Sequence, residues 1–128
     1  MNNECKAFFL KECFVELFKY EMLRFFFVLQ LSSELAAQAR KKCALDNNVQ
    51  VFGSLGPIFE SHQTKQTKDY INSKGKEFCI ETYRKIAQAL YDGGANGFLC
   101  EAMNCWEEAE VALEGLKRLI EVYMNYNF

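Results

Sequence analysis

The first part of the chain repeats apolar and charged positions with the period of an α-helix. Between residues 6 and 30, apolar side chains recur every three or four positions, and charged side chains fill much of the rest. These apolar positions are Leu10, Phe14, Leu17, Phe18, Met22, Phe25 and Leu29. The pattern predicts an amphipathic, Phe-rich helix that faces a core or a partner. A membrane-surface helix is disfavoured because the polar face mixes acids with bases.

A second helical pattern covers residues 32–44. Glu34 lies in its first turn and three basic residues lie in its last, an order that suits the helix dipole. Ser32 or Ser33 is a candidate N-cap. Without a cap, this segment continues the first helix. Residues 46–48, Asp-Asn-Asn, predict a turn.

Two short runs favour β-strands. Residues 49–52 lead into the Gly-Ser-Leu-Gly-Pro segment at 53–57, which is expected to end the strand. Residues 95–100 are mostly apolar and uncharged, which predicts a strand buried on both faces. A helix between the two strands implies a parallel pair. Their carboxyl ends, residues 53–57 and Glu101, are then expected on one rim, where parallel α/β proteins bind ligands.

Helical periodicity returns in two further segments. Residues 76–92 predict a helix that ends at a glycine pair, and a last helix runs from Cys105 or Trp106 to about Tyr123, with Asn104 as its candidate cap. Gly115 inside this helix is expected to permit close packing. The side chains expected to face inward are Ala109, Ala112, Leu113, Leu116, Leu119, Ile120 and Tyr123.

Residues 58–75 carry no clear periodicity. They are polar and rich in turn-forming residues, which predicts an exposed loop over the strand ends. His62 lies in this segment. A solvated histidine is favoured there over a catalytic base, because the sequence shows no partner for it.

Composition and charge limit the classes of partner and the cellular location that are expected for this chain. The 128 residues, with 50% hydrophobic and 25% charged, fit one globular domain. A formal net charge of -2 gives no electrostatic reason to expect nucleic acid or an anionic membrane as a partner. Charges interrupt the apolar N-terminal stretch, so neither a secretory signal nor a membrane span is expected. The cysteines are therefore expected to be reduced thiols in a cytoplasmic protein.

The six cysteines form no local metal-binding pattern. None belongs to a C-x-x-C pair, and His62 has no nearby Cys or His, so a zinc knuckle is not expected. The positions are Cys5, Cys13, Cys43, Cys79, Cys100 and Cys105.

Several segments together resemble the homocysteine S-methyltransferase family. Residues 51–57 resemble its strand-end G-S-[IL]-G-P segment, and residues 83–103 resemble its helix, Gly-Ala turn and strand ending in glutamate. Residues 34–40 and 107–110 are similar to the helices before and after. The likeness is collinear over about residues 32–120.

The resemblance implies an α/β fold, a fragment of a (β/α)8 TIM barrel. About two parallel strands with flanking helices are expected, together with the Phe-rich N-terminal helix. Residues 1–31 would be an amphipathic helix outside the likeness. Residues 32–128 would form a partial homocysteine-binding barrel domain.

The resemblance also implies a reaction, the transfer of a methyl group to the homocysteine thiol to give methionine. By position, Glu101 would bind the amino group of homocysteine. Gly53, Ser54, Gly56 and Pro57 would form a strand-end loop near this substrate. Family members hold zinc with three cysteine thiolates, and zinc keeps the substrate sulfur as a nucleophilic thiolate. The methyl donor differs between members and stays open here.

The chain also departs from the family. The glycine-rich first strand motif is absent, and none of the six cysteines lies in the family's zinc motifs. No zinc ligand and no catalytic residue is therefore assigned. Three interpretations stay open: a truncated methyltransferase domain, a non-catalytic half-barrel that associates through its strand edges with itself or a partner, and a gene fragment whose missing exons encode the other strands.

Overall fold

The computed structural model describes residues 3–44, 49–59 and 61–126, with side chains from residue 21 onward. Its elements are α1 (Asn3–Lys42), β1 (Phe52–Leu55), α2 (Thr64–Lys74), α3 (Lys76–Asp92), β2 (Gly97–Cys100) and α4 (Trp106–Tyr126). The predicted turn at 46–48 lies outside the described residues. The side chains of Cys5, Cys13, Leu10, Phe14, Leu17 and Phe18 lie outside them as well.

Helix α1 is a single helix across both predicted segments. Neither serine acts as a cap: Ser32 Oγ donates to the carbonyl oxygen of Leu29 within the helix, at 2.7 Å, and Ser33 is buried. A Cβ added at Gly93 would lie 2.7 Å from the Ser33 Cβ, so α1 passes very close to the end of α3. The uninterrupted alternative is therefore confirmed. The domain division between residues 31 and 32, which falls inside this helix, stays a prediction.

The apolar side of α1 is less buried than its pattern predicts. Leu29 packs against the core, but Phe25 is 47% exposed and Phe27 is 66% exposed. Only part of the helix contacts α3. Phe25 does not face the core, because apolar side chains lie on more than one side of α1 and α3 covers only one. That this part of the stripe faces a partner stays a prediction.

The two strands pair in parallel, as predicted. Phe52 lies opposite Gly97, and Leu55 lies opposite Cys100. Strand β1 begins later than predicted and includes Gly53, which had been assigned to the strand's end. A Cβ added at Gly53 would lie 3.0 Å from Leu90 Cδ1 of α3. The glycine therefore lets helix and strand approach each other instead of breaking the strand.

One face of this sheet is covered by helices and the other is open. Gly53 and Leu55 are buried on the covered face, whereas Phe52 is 58% exposed and Leu99 is 53% exposed. The prediction that residues 95–100 are buried on both faces was wrong, because no described element covers the second face. On that face the Phe52 ring shields Gly97, where an added Cβ would lie 2.7 Å from the ring.

The segment predicted as a loop at 58–75 contains helix α2, so that prediction was wrong for its second half. Thr67 and Ile71, one helical turn apart, are both buried. A helix this polar is stabilised by its contacts with α3 and α4 more than by its own propensity. Gly75, with φ of 89°, separates α2 from α3. A positive φ is readily adopted by glycine and is strained for residues with a side chain.

Helices α3 and α4 hold most of the core, and their predicted bounds are confirmed to within a few residues. The buried core side chains from these two helices are Cys79, Ile80, Tyr83, Ala87, Leu90, Val111, Ala112 and Leu119. Leu113 and Ile120 were predicted to face inward, but they are 55% and 52% exposed. They lie two turns apart on a side of α4 that α3 does not cover. None of the described helices is both long enough and apolar enough to cross a membrane.

Candidate ligand-binding site at the strand ends

The carboxyl ends of β1 and β2 meet at one rim, where they bring Ser54 and Glu101 together. The Glu101 backbone N–H donates to the carbonyl oxygen of Leu55 at 3.1 Å, which extends the ladder by one bond. The Ser54 hydroxyl donates to Glu101 Oε1. Both side chains are exposed on the open face of the sheet. A hydroxyl and a carboxylate therefore face solvent side by side at the strand ends.

The other strand-end residues contribute in different ways. Gly53 is buried on the opposite, helix-covered face. Gly56 and Pro57 are half-buried in the loop after β1, and the Gly56 carbonyl oxygen lies 3.0 Å from the Tyr83 hydroxyl, which donates to it. Of the four residues singled out in this loop, Ser54 is the one whose side chain contacts Glu101.

A buried carboxylate below this rim was not singled out from the sequence. Glu108 in the first turn of α4 has no exposed surface. The Ile58 N–H donates to its Oε1 at 2.8 Å, and the Asn104 N–H donates to its Oε2 at 2.7 Å. Its position three residues into a helix is one where a glutamate often accepts from N–H groups before that helix. Glu107 and Glu110 are acidic as well, so the sequence did not show which carboxylate is buried.

Tyr83 completes the buried network from the side of α3. Its hydroxyl lies 3.4 Å from Glu108 Oε1. The same hydroxyl donates to the Gly56 carbonyl oxygen in the loop after β1. Burial is the main reason that the Tyr83 pKa is raised well above its ordinary value, and the negative charge of Glu108 raises it further. Tyr83 is therefore a neutral hydrogen-bond donor at physiological pH.

Asn104 joins the rim to α2. Its side-chain oxygen accepts from the Gln63 N–H at 3.1 Å, and its side-chain nitrogen donates to Thr67 Oγ1 at 2.9 Å. The side chain predicted to cap α4 thus holds the start of α2. His62, beside this junction, is exposed with a φ of 62°. Ala102, directly after Glu101, has a φ of 55°, which is strained for a residue with a side chain.

The described cysteines do not form a metal site. Burial is the first cause of a raised pKa at Cys79, Cys100 and Cys105, so these side chains are neutral thiols near about pH 7. Within the part of the chain that the structure describes, no group of three or more potential metal ligands comes together. These residues therefore do not fit the three-thiolate zinc site that the resemblance implied.

Comparison with protein families matches residues 16–128 to the family described as Homocysteine S-methyltransferase. The chain belongs to the homocysteine S-methyltransferase family. The matched range includes the whole stretch over which the sequence motifs resemble this family, so the resemblance is confirmed. Neither the curated proteins nor the solved structures that were compared with the chain gave a match.

The buried Tyr83 hydroxyl is expected to make the fold of this chain less stable in alkali. Its pKa is raised above the ordinary value of 10.0 in the folded chain. Above about pH 10 the unfolded chain releases a proton that the folded chain keeps, so stability falls by up to about 1.4 kcal/mol per pH unit. Thermal melts at increasing pH are expected to show this fall. A Tyr83→Phe variant should lose less stability above pH 10 than the parent, and an unchanged slope would contradict the assignment.

Proposed function

We propose that this chain binds homocysteine at the rim formed by Ser54 and Glu101, with the Glu101 carboxylate accepting hydrogen bonds from the substrate ammonium group. The observation that carries the proposal is the Ser54–Glu101 pair on the open sheet face, in a chain of this family. Charge-assisted hydrogen bonds of this kind are about twice as strong as neutral ones. The Ser54 hydroxyl orients one carboxylate oxygen and leaves the other for the ligand.

The rim is proposed to be part of a (β/α)8 barrel. Two parallel strands joined through a helix, with helices on one face only, are what two neighbouring barrel strands would show. The open face of Phe52, Ser54 and Leu99 would then point into the barrel. In this proposal residues 32–128 form the barrel portion and residues 1–31 add a helix to it.

The proposed chemistry separates substrate binding from methyl transfer. In the family reaction the homocysteine sulfur loses its proton and forms a bond to the methyl carbon, while the donor's bond to that carbon breaks. The described residues supply the amino-group end of this site, but their thiols do not form the group that would activate the sulfur. The chain on its own is therefore proposed to bind the substrate without turnover, and no methyl donor is assigned. Its free cysteines fit a reducing compartment such as the cytoplasm.

Calorimetric titration of L-homocysteine into the purified chain tests the proposal. The expected result is saturable binding at one site per chain, with substoichiometric zinc by metal analysis and no methionine formed. The control ligand is 4-mercaptobutanoate, which is homocysteine without its amino group, and it should bind more weakly. Absence of saturable binding would refute the ligand assignment. One zinc per chain together with methionine production would refute the separation of binding from turnover.

A second candidate is a non-catalytic interaction module. It is favoured by the exposure of Phe52 and Leu99 on a sheet face that no described element covers. Exposed apolar sheet faces and unpaired strand edges are association sites. The same titration separates the two functions, because a module of this kind gives no homocysteine binding and instead associates with a second copy through this face.

A further inference from the structure

Glu108 connects the two loops that carry the candidate site. One carboxylate oxygen accepts from Ile58 in the loop after β1, and the other accepts from Asn104 in the loop after β2. We infer that Glu108 is a positioning residue that holds Ser54 and Glu101 in register for the ligand. This inference rests on the proposed function of the rim.

Both hydrogen bonds of Glu108 lie close to the candidate site. Glu108 makes them from α4, which is separate from the two loops. Ile58 follows Ser54 by four residues, and Asn104 follows Glu101 by three. Each strand is only four residues long, so the ladder itself constrains little of the chain beyond it. A single carboxylate on α4 that bonds both loops therefore fixes the distance between them.

The backbone conformation of the turn after Glu101 is a second reason to infer a positioning role for Glu108. Ala102 has a φ of 55°, a conformation that is disfavoured for any residue with a side chain. Such a turn persists only where its surroundings hold it, and the Asn104 N–H bonded to Glu108 lies two residues beyond it. Without that bond the turn loses the backbone contact nearest to Ala102, and Glu101 at its start is expected to move relative to Ser54.

Burial explains why a carboxylate is needed here. Glu108 is fully buried, and desolvation of a carboxylate is costly unless its oxygens are well bonded. Two backbone N–H groups provide those bonds, and the Tyr83 hydroxyl, which donates to the Gly56 carbonyl oxygen at 3.0 Å, lies 3.4 Å from Oε1. A glutamine has one acceptor oxygen and one amide nitrogen, so it satisfies one loop and presents a donor to the other.

The test compares Glu108→Gln with Glu107→Gln, which removes a neighbouring charge that pairs with Lys68 at 3.6 Å. In E108Q, amide hydrogen exchange at Ile58 or Asn104 is expected to accelerate about tenfold, and the amide resonances of Ser54 and Glu101 are expected to shift. The dissociation constant for homocysteine is expected to rise about fivefold. E107Q should match the parent in all three measurements.

The outcomes separate this inference from the proposed function. If the parent binds no homocysteine, the proposed function fails, and the resonances of Ser54 and Glu101 still decide whether Glu108 positions them. Unchanged resonances in a folded E108Q would overturn the inference. If the parent binds homocysteine, an unchanged affinity in E108Q would overturn it as well. If E108Q does not fold, Tyr83→Phe removes one hydroxyl from the same network and should accelerate Ile58 exchange about threefold. An unchanged rate of Ile58 amide exchange in Tyr83→Phe would also overturn the inference.

Discussion

Replacing Glu101 with glutamine is expected to weaken homocysteine binding about tenfold, because the substrate ammonium loses its charged acceptor. Hydrogen bonds to charged groups contribute about 1.5–3 kcal/mol, and about 1.4 kcal/mol corresponds to a factor of ten in affinity. Glu101 is exposed, and solvent screens exposed charges, so the lower end of that range applies. Titration calorimetry of Glu101→Gln against the parent measures the difference.

Two further variants show whether the loss is specific to this carboxylate. Glu121→Gln makes the same change of charge at an exposed position far along α4, where the carboxylate lies 4.0 Å from Lys117. It should bind homocysteine as the parent does. Ser54→Ala removes a neutral donor to Glu101 and should cost less than Glu101→Gln, about threefold. Equal affinities for Glu101→Gln and the parent would show that the ligand binds elsewhere.

Replacing Gly115 with alanine is expected to destabilise the fold by up to about 2 kcal/mol. Overpacking typically costs about 1–3 kcal/mol, whereas alanine gains roughly 1 kcal/mol over glycine in helix propensity. An added Cβ would lie 2.8 Å from the Ile80 carbonyl oxygen and 2.9 Å from the Arg84 backbone nitrogen. Both are backbone atoms of α3, so the whole helix has to move. The steric cost of the added Cβ is therefore expected to exceed the gain in helix propensity.

Urea unfolding of Gly115→Ala measures this loss of stability. Gly56→Ala is the matched control, because a Cβ at Gly56 would have no heavy atom within 4 Å. It should unfold close to the parent. A Gly115→Ala variant as stable as the parent would mean that α3 and α4 separate without cost, and that helix propensity decides the outcome.

Close packing of α3 on α4 also matters for the candidate site. Tyr83 on α3 and Glu108 on α4 meet across this contact. Moving the two helices apart would lengthen the bonds that hold the loops at the rim. The stability of the helix pair and the geometry of the strand ends are therefore linked through these two side chains.

Much of the fold could be predicted from local patterns. The helix at 76–92, the last helix and the parallel order of the strands follow from periodicity and from the glycine pair at 93–94. Helix α2 was missed because its two buried positions, Thr67 and Ile71, stand in an otherwise polar segment. A pattern that weak becomes a helix only when other helices cover it.

Part of the candidate site was also predictable from local sequence patterns. The position of Glu101 at the rim was predictable because a carboxylate directly after a strand lies at the strand's end. Glu108 was missed because its neighbour Glu107 has the same charge in the same helical turn. Which of the two is buried depends on an N–H donor 50 residues away in sequence, at Ile58.

The sequence by itself determined the order and type of most elements, the common rim of the two strands and the family resemblance that the comparison confirms. These depend on periodicity, turn chemistry and motif spacing, which are local properties of the chain. Only the tertiary structure decided that Leu99 and Phe52 are exposed, that Leu113 and Ile120 face away from α3, and that Glu108 bonds both loops. Burial is a property of what lies opposite a side chain, and residues distant in sequence supply it.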